Sequence, residues 1–170
     1  MDEQMRDLTA RNNLEYALRL ALRHGSQRDP SRHIFLQHIE QSFGYVASVL
    51  AGDQHWSAEF REFRVNDPKP RNIVAPCFLD RVIHHALFQF AGPMFESRLL
   101  DGCCACRKGY GTQAAISRAI DMSHQKTWFL KLDVRHYFET VPRAGITSVV
   151  ESIIPDGRLR DWMNLLHHSW

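Results

Sequence analysis

Lysine is scarce in this sequence. Only four of its 21 basic residues are Lys, and the remaining 17 are Arg. The formal net charge is +2, which excludes a polycationic nucleic-acid-binding tail. Because the planar guanidinium group pairs well with phosphate and carboxylate, the excess of Arg over Lys is compatible with anionic binding partners.

A long apolar run is also missing, and the first residues, MDEQMRDLTARNN, are too polar for a signal peptide. We therefore predict no membrane association and a cytoplasmic location. Hydrophobic residues make up 44% and charged residues 24% of the 170 residues, which is ordinary for a folded domain and excludes wholesale disorder.

Cysteine is limited to four residues: Cys77, Cys103, Cys104 and Cys106. A reducing compartment disfavours disulfides, and adjacent cysteines rarely pair with each other. The CCxC group with Cys77 upstream fits zinc-ligand spacing poorly. We interpret these residues as structural or incidental thiols.

The hydrophobic pattern predicts helices separated by a β-hairpin. The hairpin joins EFREFRV to RNIVAP around Asp67-Pro68. A helix follows Pro76 and is expected to end at Gly92-Pro93, and Thr112 is expected to cap a later helix. The remaining predictions are helices at 12–24, 33–51, 143–153 and 157–168, loops at 25–32 and 101–111, and a strand at 127–134. The fold class is α+β with a helical N-terminus.

Asp133 is the first candidate functional residue. The segment TWFLKLDV alternates, with Trp128, Leu130 and Leu132 on one side, which predicts a half-buried strand. Asp133 lies at its end, where catalytic acids often project. A capping Asp at a strand–helix junction is the alternative.

Three stretches in order make the pattern more specific. They are FRVNDPKPRNIVAPCFLDRVIHHAL (63–87), CRKGYGTQAA (106–115) and WFLKLDVRHYFETVPR (128–143). Together they resemble the fingers and early palm of bacterial reverse transcriptases, most of all those of diversity-generating retroelements and group II introns. The resemblance covers about residues 33–155.

The resemblance implies a metal site at Asp133. Nucleotide transfer to a primer 3′-oxygen uses two Mg²⁺ ions held by carboxylates. By resemblance, Asp133 is the first metal-binding aspartate and the carbonyl of Val134 is a further ligand. Hard oxygen ligands of this kind suit Mg²⁺.

The resemblance also implies residues that bind the incoming nucleotide. The triphosphate would be bound by Lys69, Arg71 and Arg107. The alternative for each of these residues is a solvated charge or an ion pair. Phe138 would lie under the sugar and exclude a 2′-hydroxyl, whereas a plain core position is its alternative. Arg81 is expected to have a structural or template-contact role.

Two features depart from the family pattern. The sequence contains no adjacent Asp pair of the YxDD type, and the GLPxG-like segment and a thumb are missing. Cys103-Cys104 also stand where the family favours a hydroxyl residue followed by Tyr. We therefore expect an N-terminal piece of a longer polymerase, truncated before the YxDD hairpin. Its expected parts are an N-terminal helical extension (1–58), fingers (59–126) and the beginning of the palm (127–170).

The resulting functional hypothesis is an RNA-directed DNA polymerase whose 170-residue piece is inactive alone. Its expected partners are an RNA template, a DNA primer, dNTP and a retroelement accessory protein. The alternative is a non-catalytic nucleic-acid-binding fragment or a degenerate reverse transcriptase-like protein. A small helical interaction protein is a third hypothesis, which requires the three matches to be accidental.

Overall fold

The computed structural model describes residues 7–23, 27–155 and 157–168, without the side chains of residues 138, 139, 167 and 168. Within these ranges the chain is α+β and combines eight helices with one two-stranded antiparallel sheet. The elements in chain order are α1 (Arg11–Arg23), α2 (Pro30–Gln37), α3 (Ile39–Ala51), β1 (Phe60–Asn66), β2 (Pro70–Pro76), α4 (Phe78–Glu96), α5 (Thr112–Ser123), α6 (Tyr137–Thr140), α7 (Arg143–Ile153) and α8 (Gly157–His168).

The second predicted helix is two helices. We expected one helix over 33–51 after a loop, but α2 begins at Pro30 and the helical path breaks at His38. The Asp29 carboxylate accepts a hydrogen bond from the backbone N–H of Ser31 at 2.9 Å, and Pro30 occupies the first turn. An Asp cap followed by Pro starts a helix, so these residues initiate α2 rather than form a loop.

Helix α4 is the centre of the packing. It lies against α1, α2, α3 and α8, and its Phe78, Val82, Ile83, Ala86 and Leu87 are fully buried. The side chain of Asn13 on α1 donates to the Leu8 carbonyl and, at 3.5 Å, to the Ala86 carbonyl. Gln89 on α4 in turn donates to the Asn13 carbonyl at 3.2 Å, so polar contacts accompany the apolar packing of α1 on α4.

The predicted end of α4 at Gly92-Pro93 is wrong, because the helix continues to Glu96. Pro93 lacks a backbone N–H, but its carbonyl still accepts from the N–H of Ser97 at 3.1 Å. The predicted cap at Thr112 is also wrong. The residue that precedes α5 is Gly111, whose φ of 104° favours glycine.

The predicted hairpin is confirmed. Strands β1 and β2 pair from Phe60–Pro76 at the root to Asn66–Pro70 at the tip, so the turn covers residues 67–69. Most of both strands is exposed, including half of the Phe63 surface. The hairpin therefore projects away from the helical core.

The predicted strand at 127–134 is wrong. The segment has no regular secondary structure, and Trp128 and Phe129, expected on opposite faces, are 91% and 93% exposed. A strand needs a hydrogen-bonding neighbour, and the sheet within the described ranges contains β1 and β2 alone. The alternating pattern is therefore present without a partner strand.

Helices α7 and α8 follow the predicted bounds and pack against each other. Trp162 on α8 donates from Nε1 to the Leu50 carbonyl at 3.3 Å and so connects this pair to α3. Among the helices that the structure describes, none has both the length and the apolar character needed to cross a membrane.

Candidate nucleotide-binding site

The hairpin presents two of the predicted nucleotide-binding residues. Lys69 belongs to the turn, and Arg71 lies two residues later on β2, opposite Val65. Both side chains are exposed. Cations at the tip of a projecting hairpin are accessible to a phosphate ligand, which a buried ion pair would not be.

The root of this hairpin is held by Asp80. This carboxylate is 1% exposed and accepts hydrogen bonds from Trp56 Nε1 at 2.7 Å and from the backbone N–H of Glu59 at 2.8 Å. The Cys77 thiol also donates to it, with Sγ 3.1 Å from Oδ2. Asp80 thus joins the start of α4 to the residues that lead into β1, and burial raises the pKa of Cys77 to about 12.

A second contact joins strand β1 of the hairpin to the start of α2. Arg61 on β1 donates to the Asp29 carboxylate and, at 2.7 Å, to the Ser31 hydroxyl. Burial opposes ionisation of Asp29, but hydrogen bonds from Ser31 and Arg61 outweigh it and lower the pKa of the carboxyl. The orientation of β1 is therefore coupled to the N-terminus of α2.

Arg81 and His84 line the same side of α4. The Arg81 guanidinium lies 5.1 Å from the Phe78 ring centroid and donates to the Ala21 carbonyl. Burial lowers the pKa of His84, although the nearby Asp80 opposes this shift. Contacts with the core thus agree with the structural alternative for Arg81.

Arg107 is engaged inside the chain. Its Nε donates to Glu96 at 2.6 Å, its Nη1 donates to the carbonyls of Leu100 and Cys103, and its guanidinium lies 4.0 Å from the Tyr110 ring centroid. The hydrogen bond to Glu96 raises the pKa of Arg107. These contacts stabilise the loop between α4 and α5. The ion pair with Glu96 corresponds to the alternative role predicted for Arg107. Its role in phosphate binding stays a prediction.

Asp133 and Val134 lie on the exposed segment just before α6. Val134 is 62% exposed. A carboxylate and a carbonyl are oxygen donors of the kind Mg²⁺ prefers. However, the described residues contain no group of three or more His, Cys, Asp or Glu that could hold a metal ion. These donors alone do not make a complete Mg²⁺ site.

Phe138 lies in α6, but its side chain is outside the described residues. Its predicted contact with the nucleotide sugar stays a prediction. The neighbouring Tyr137 is half-exposed.

A comparison of the chain with protein-family models and with curated protein sequences found no match.

The sequence reasoning missed Asp80 and Trp56 as the residues that hold the hairpin. A signal was present, because Asp80 is the only acid in FLDRVI, a largely apolar segment that also contains Arg81, and it lies in the first turn of a helix. An acid in that position is favoured by the helix dipole, so its place in the sequence does not by itself indicate a tertiary contact. Its contact with Trp56 spans 24 residues and has no sequence signature.

Proposed function

We propose that this chain contributes the fingers and the first palm segment of an RNA-directed DNA polymerase of a retroelement. The observation that carries the proposal is the order of three stretches, 63–87, 106–115 and 128–143, which resembles that of reverse transcriptase fingers and early palm.

The hairpin supports this proposal. Lys69 and Arg71 are exposed at and beside the turn, as a contact with a triphosphate requires. Asp80, Trp56 and Arg61 hold the root in a defined position, and binding energy depends on such preorganisation.

The exposed segment around Asp133 supports the same proposal in a different way. Leu130 and Leu132 are each 81% exposed, which is costly for apolar side chains unless another surface covers them. In a polymerase palm, neighbouring strands would cover this segment and supply the remaining metal-binding carboxylates. If the proposal is correct, the strands that cover this segment are not among the residues that the structure describes.

The test is template-directed primer extension by the polypeptide that the complete reading frame encodes. A primed RNA template with Mg²⁺ and dNTP is expected to support extension, and the unprimed template is not. Arg71→Gln should lower kcat/KM for dNTP by roughly ten- to hundredfold, because a charged hydrogen bond to phosphate is lost. Arg98→Gln, which changes another exposed Arg, is the matched control and should have little effect.

Two other outcomes are informative. Binding of RNA without any extension would replace the polymerase proposal with the non-catalytic nucleic-acid-binding alternative. Equal losses in the Arg71 and Arg98 variants would remove the hairpin from the nucleotide site.

A further inference from the structure

A second surface of the chain has the chemistry of a nucleic-acid contact. An open groove of about 700 Å³ lies between α1, α4 and the loop that precedes α5. It lies within the range of roughly 300–1,000 Å³ typical of ligand sites. Its lining includes Tyr16, His85, Phe88, Gln89 and Lys108, none of which belongs to the predicted nucleotide site.

Two aromatic rings in the groove are exposed to solvent. Tyr16 on α1 is 45% exposed and Phe88 on α4 is 59% exposed. Gly92 follows Phe88 by one helical turn, and a Cβ there would lie 3.0 Å from Phe88 Cε1. The glycine thus makes room for the ring to lie along the helix, with its outer side open to solvent.

The charges beside these rings favour an anionic ligand. Lys108 lines the groove and is exposed, and the Arg19 guanidinium lies 5.6 Å from the Tyr16 ring centroid. The acidic residue among the lining side chains is Glu96, and Arg107 binds it at 2.6 Å. The acid is therefore paired, whereas Lys108 is exposed in the lining and Arg19 is exposed beside Tyr16.

We propose that this groove binds single-stranded nucleic acid, with bases stacked on Tyr16 and Phe88 and phosphates near Lys108 and Arg19. Aromatic platforms beside cations are the general means of holding single strands, because every base has a π-face. A duplex hides its base faces, so the same surface selects unpaired strands. Stacking and phosphate pairing need no metal, so binding in this groove would be independent of polymerase chemistry.

Fluorescence anisotropy with the full 170-residue chain and a labelled oligoadenylate of about 12 nucleotides tests the proposal. Tyr16→Ala and Phe88→Ala should each weaken binding by roughly five- to hundredfold, as expected for loss of one stacked base. Tyr16→Phe keeps the ring and should bind as the unmodified chain does. Tyr45→Ala removes a similarly exposed tyrosine from α3 and is the matched control.

Salt dependence provides a readout that misfolding would not imitate. Lys108→Gln should reduce the slope of log affinity against log salt by about 0.7, the value for one phosphate contact on a single strand. Lys126→Gln, another exposed lysine, should leave the slope unchanged. Gly92→Ala should weaken binding because the new methyl group displaces the Phe88 ring.

Several results would overturn the proposal. These are absence of binding, equal affinity for a duplex of the same length, or unchanged affinity in both aromatic variants. If Lys69 and Arg71 variants abolished binding while the aromatic variants did not, the groove would be excluded and the hairpin would be retained. A folded chain whose groove captures an acidic peptide and not RNA would also contradict it.

Discussion

Trp56 donates a hydrogen bond from its indole Nε1 to the buried carboxylate of Asp80, with 2.7 Å between the two atoms. The same carboxylate receives the backbone N–H of Glu59, just before β1 begins. A buried acid in the first turn of α4 therefore helps to hold the root of the hairpin on the helical core, together with the contact of Arg61 with Asp29.

Asp80→Asn should destabilise the chain by about 2–4 kcal/mol, because the amide nitrogen would face a donor, either Trp56 N–H or the Glu59 N–H and Cys77 S–H pair. Urea unfolding monitored by tryptophan fluorescence measures the loss. Asp121→Asn, at an exposed position on α5, is the control and should change stability little. Equal stability of the two variants would show that the carboxylate does not hold the hairpin.

The sequence predicted most of the helices and the hairpin because those elements depend on local patterns. The apolar spacing of α1, α7 and α8 and the turn around Asp67-Pro68 were sufficient. The strand at 127–134 was predicted from an equally clear alternation. It did not form because strand formation depends on a neighbour, and a neighbour is not encoded in the segment itself.

The candidate site was less predictable. The exposure of Lys69 follows from its place in the hairpin turn, and Arg71 is exposed beside that turn on β2. In contrast, the engagement of Arg107 by Glu96 required two segments to meet across a loop, and nothing in CRKGYG indicates that contact. Long-range pairs of this kind are determined by packing, which a single sequence does not reveal.

His84 should make stability depend on pH. Burial lowers its pKa in the folded chain below the unfolded value of about 6.5, so the unfolded chain binds the proton more readily. The free energy of unfolding should therefore be at its full value above about pH 7 and should fall as the pH decreases to 5. Urea titrations across this range measure the effect. The slope should diminish in His84→Gln but persist in His55→Gln, which changes an exposed histidine; an unchanged slope in both would contradict the assignment.

Substitution of Glu96 and of Arg107 in turn distinguishes the ion pair of Arg107 from its proposed contact with phosphate. Glu96→Gln removes the ion pair but leaves the guanidinium, so it should lower the melting temperature without raising KM for dNTP. Arg107→Ala should lower the melting temperature and also raise KM, because its proposed phosphate contact is lost. Calorimetry and primer extension on the full reading-frame product provide the two measurements. If both variants raise KM equally, Arg107 does not contact the nucleotide.

The exposed segment should make the isolated chain associate. Trp128 and Leu130 are 91% and 81% exposed, and contiguous apolar surface drives association. Light scattering should detect oligomers that the double substitution Trp128→Lys and Leu130→Lys reduces. Because both side chains are solvated, stability should change by less than about 1 kcal/mol. Ile34→Lys, at an exposed position on α2, is the control; a monodisperse unmodified chain would count against the prediction.

On the proposed function, Asp133 contributes to the Mg²⁺ site of an RNA-directed DNA polymerase. The most direct test of this claim is primer extension on an RNA template by the complete reading-frame product carrying Asp133→Asn, with Asp121→Asn as the matched control. We predict that Asp133→Asn lowers the rate by at least about a hundredfold while folding is retained, because the neutral amide binds Mg²⁺ poorly. Asp121→Asn should retain the rate of the unmodified protein. Near-normal extension by folded Asp133→Asn protein would contradict the claim.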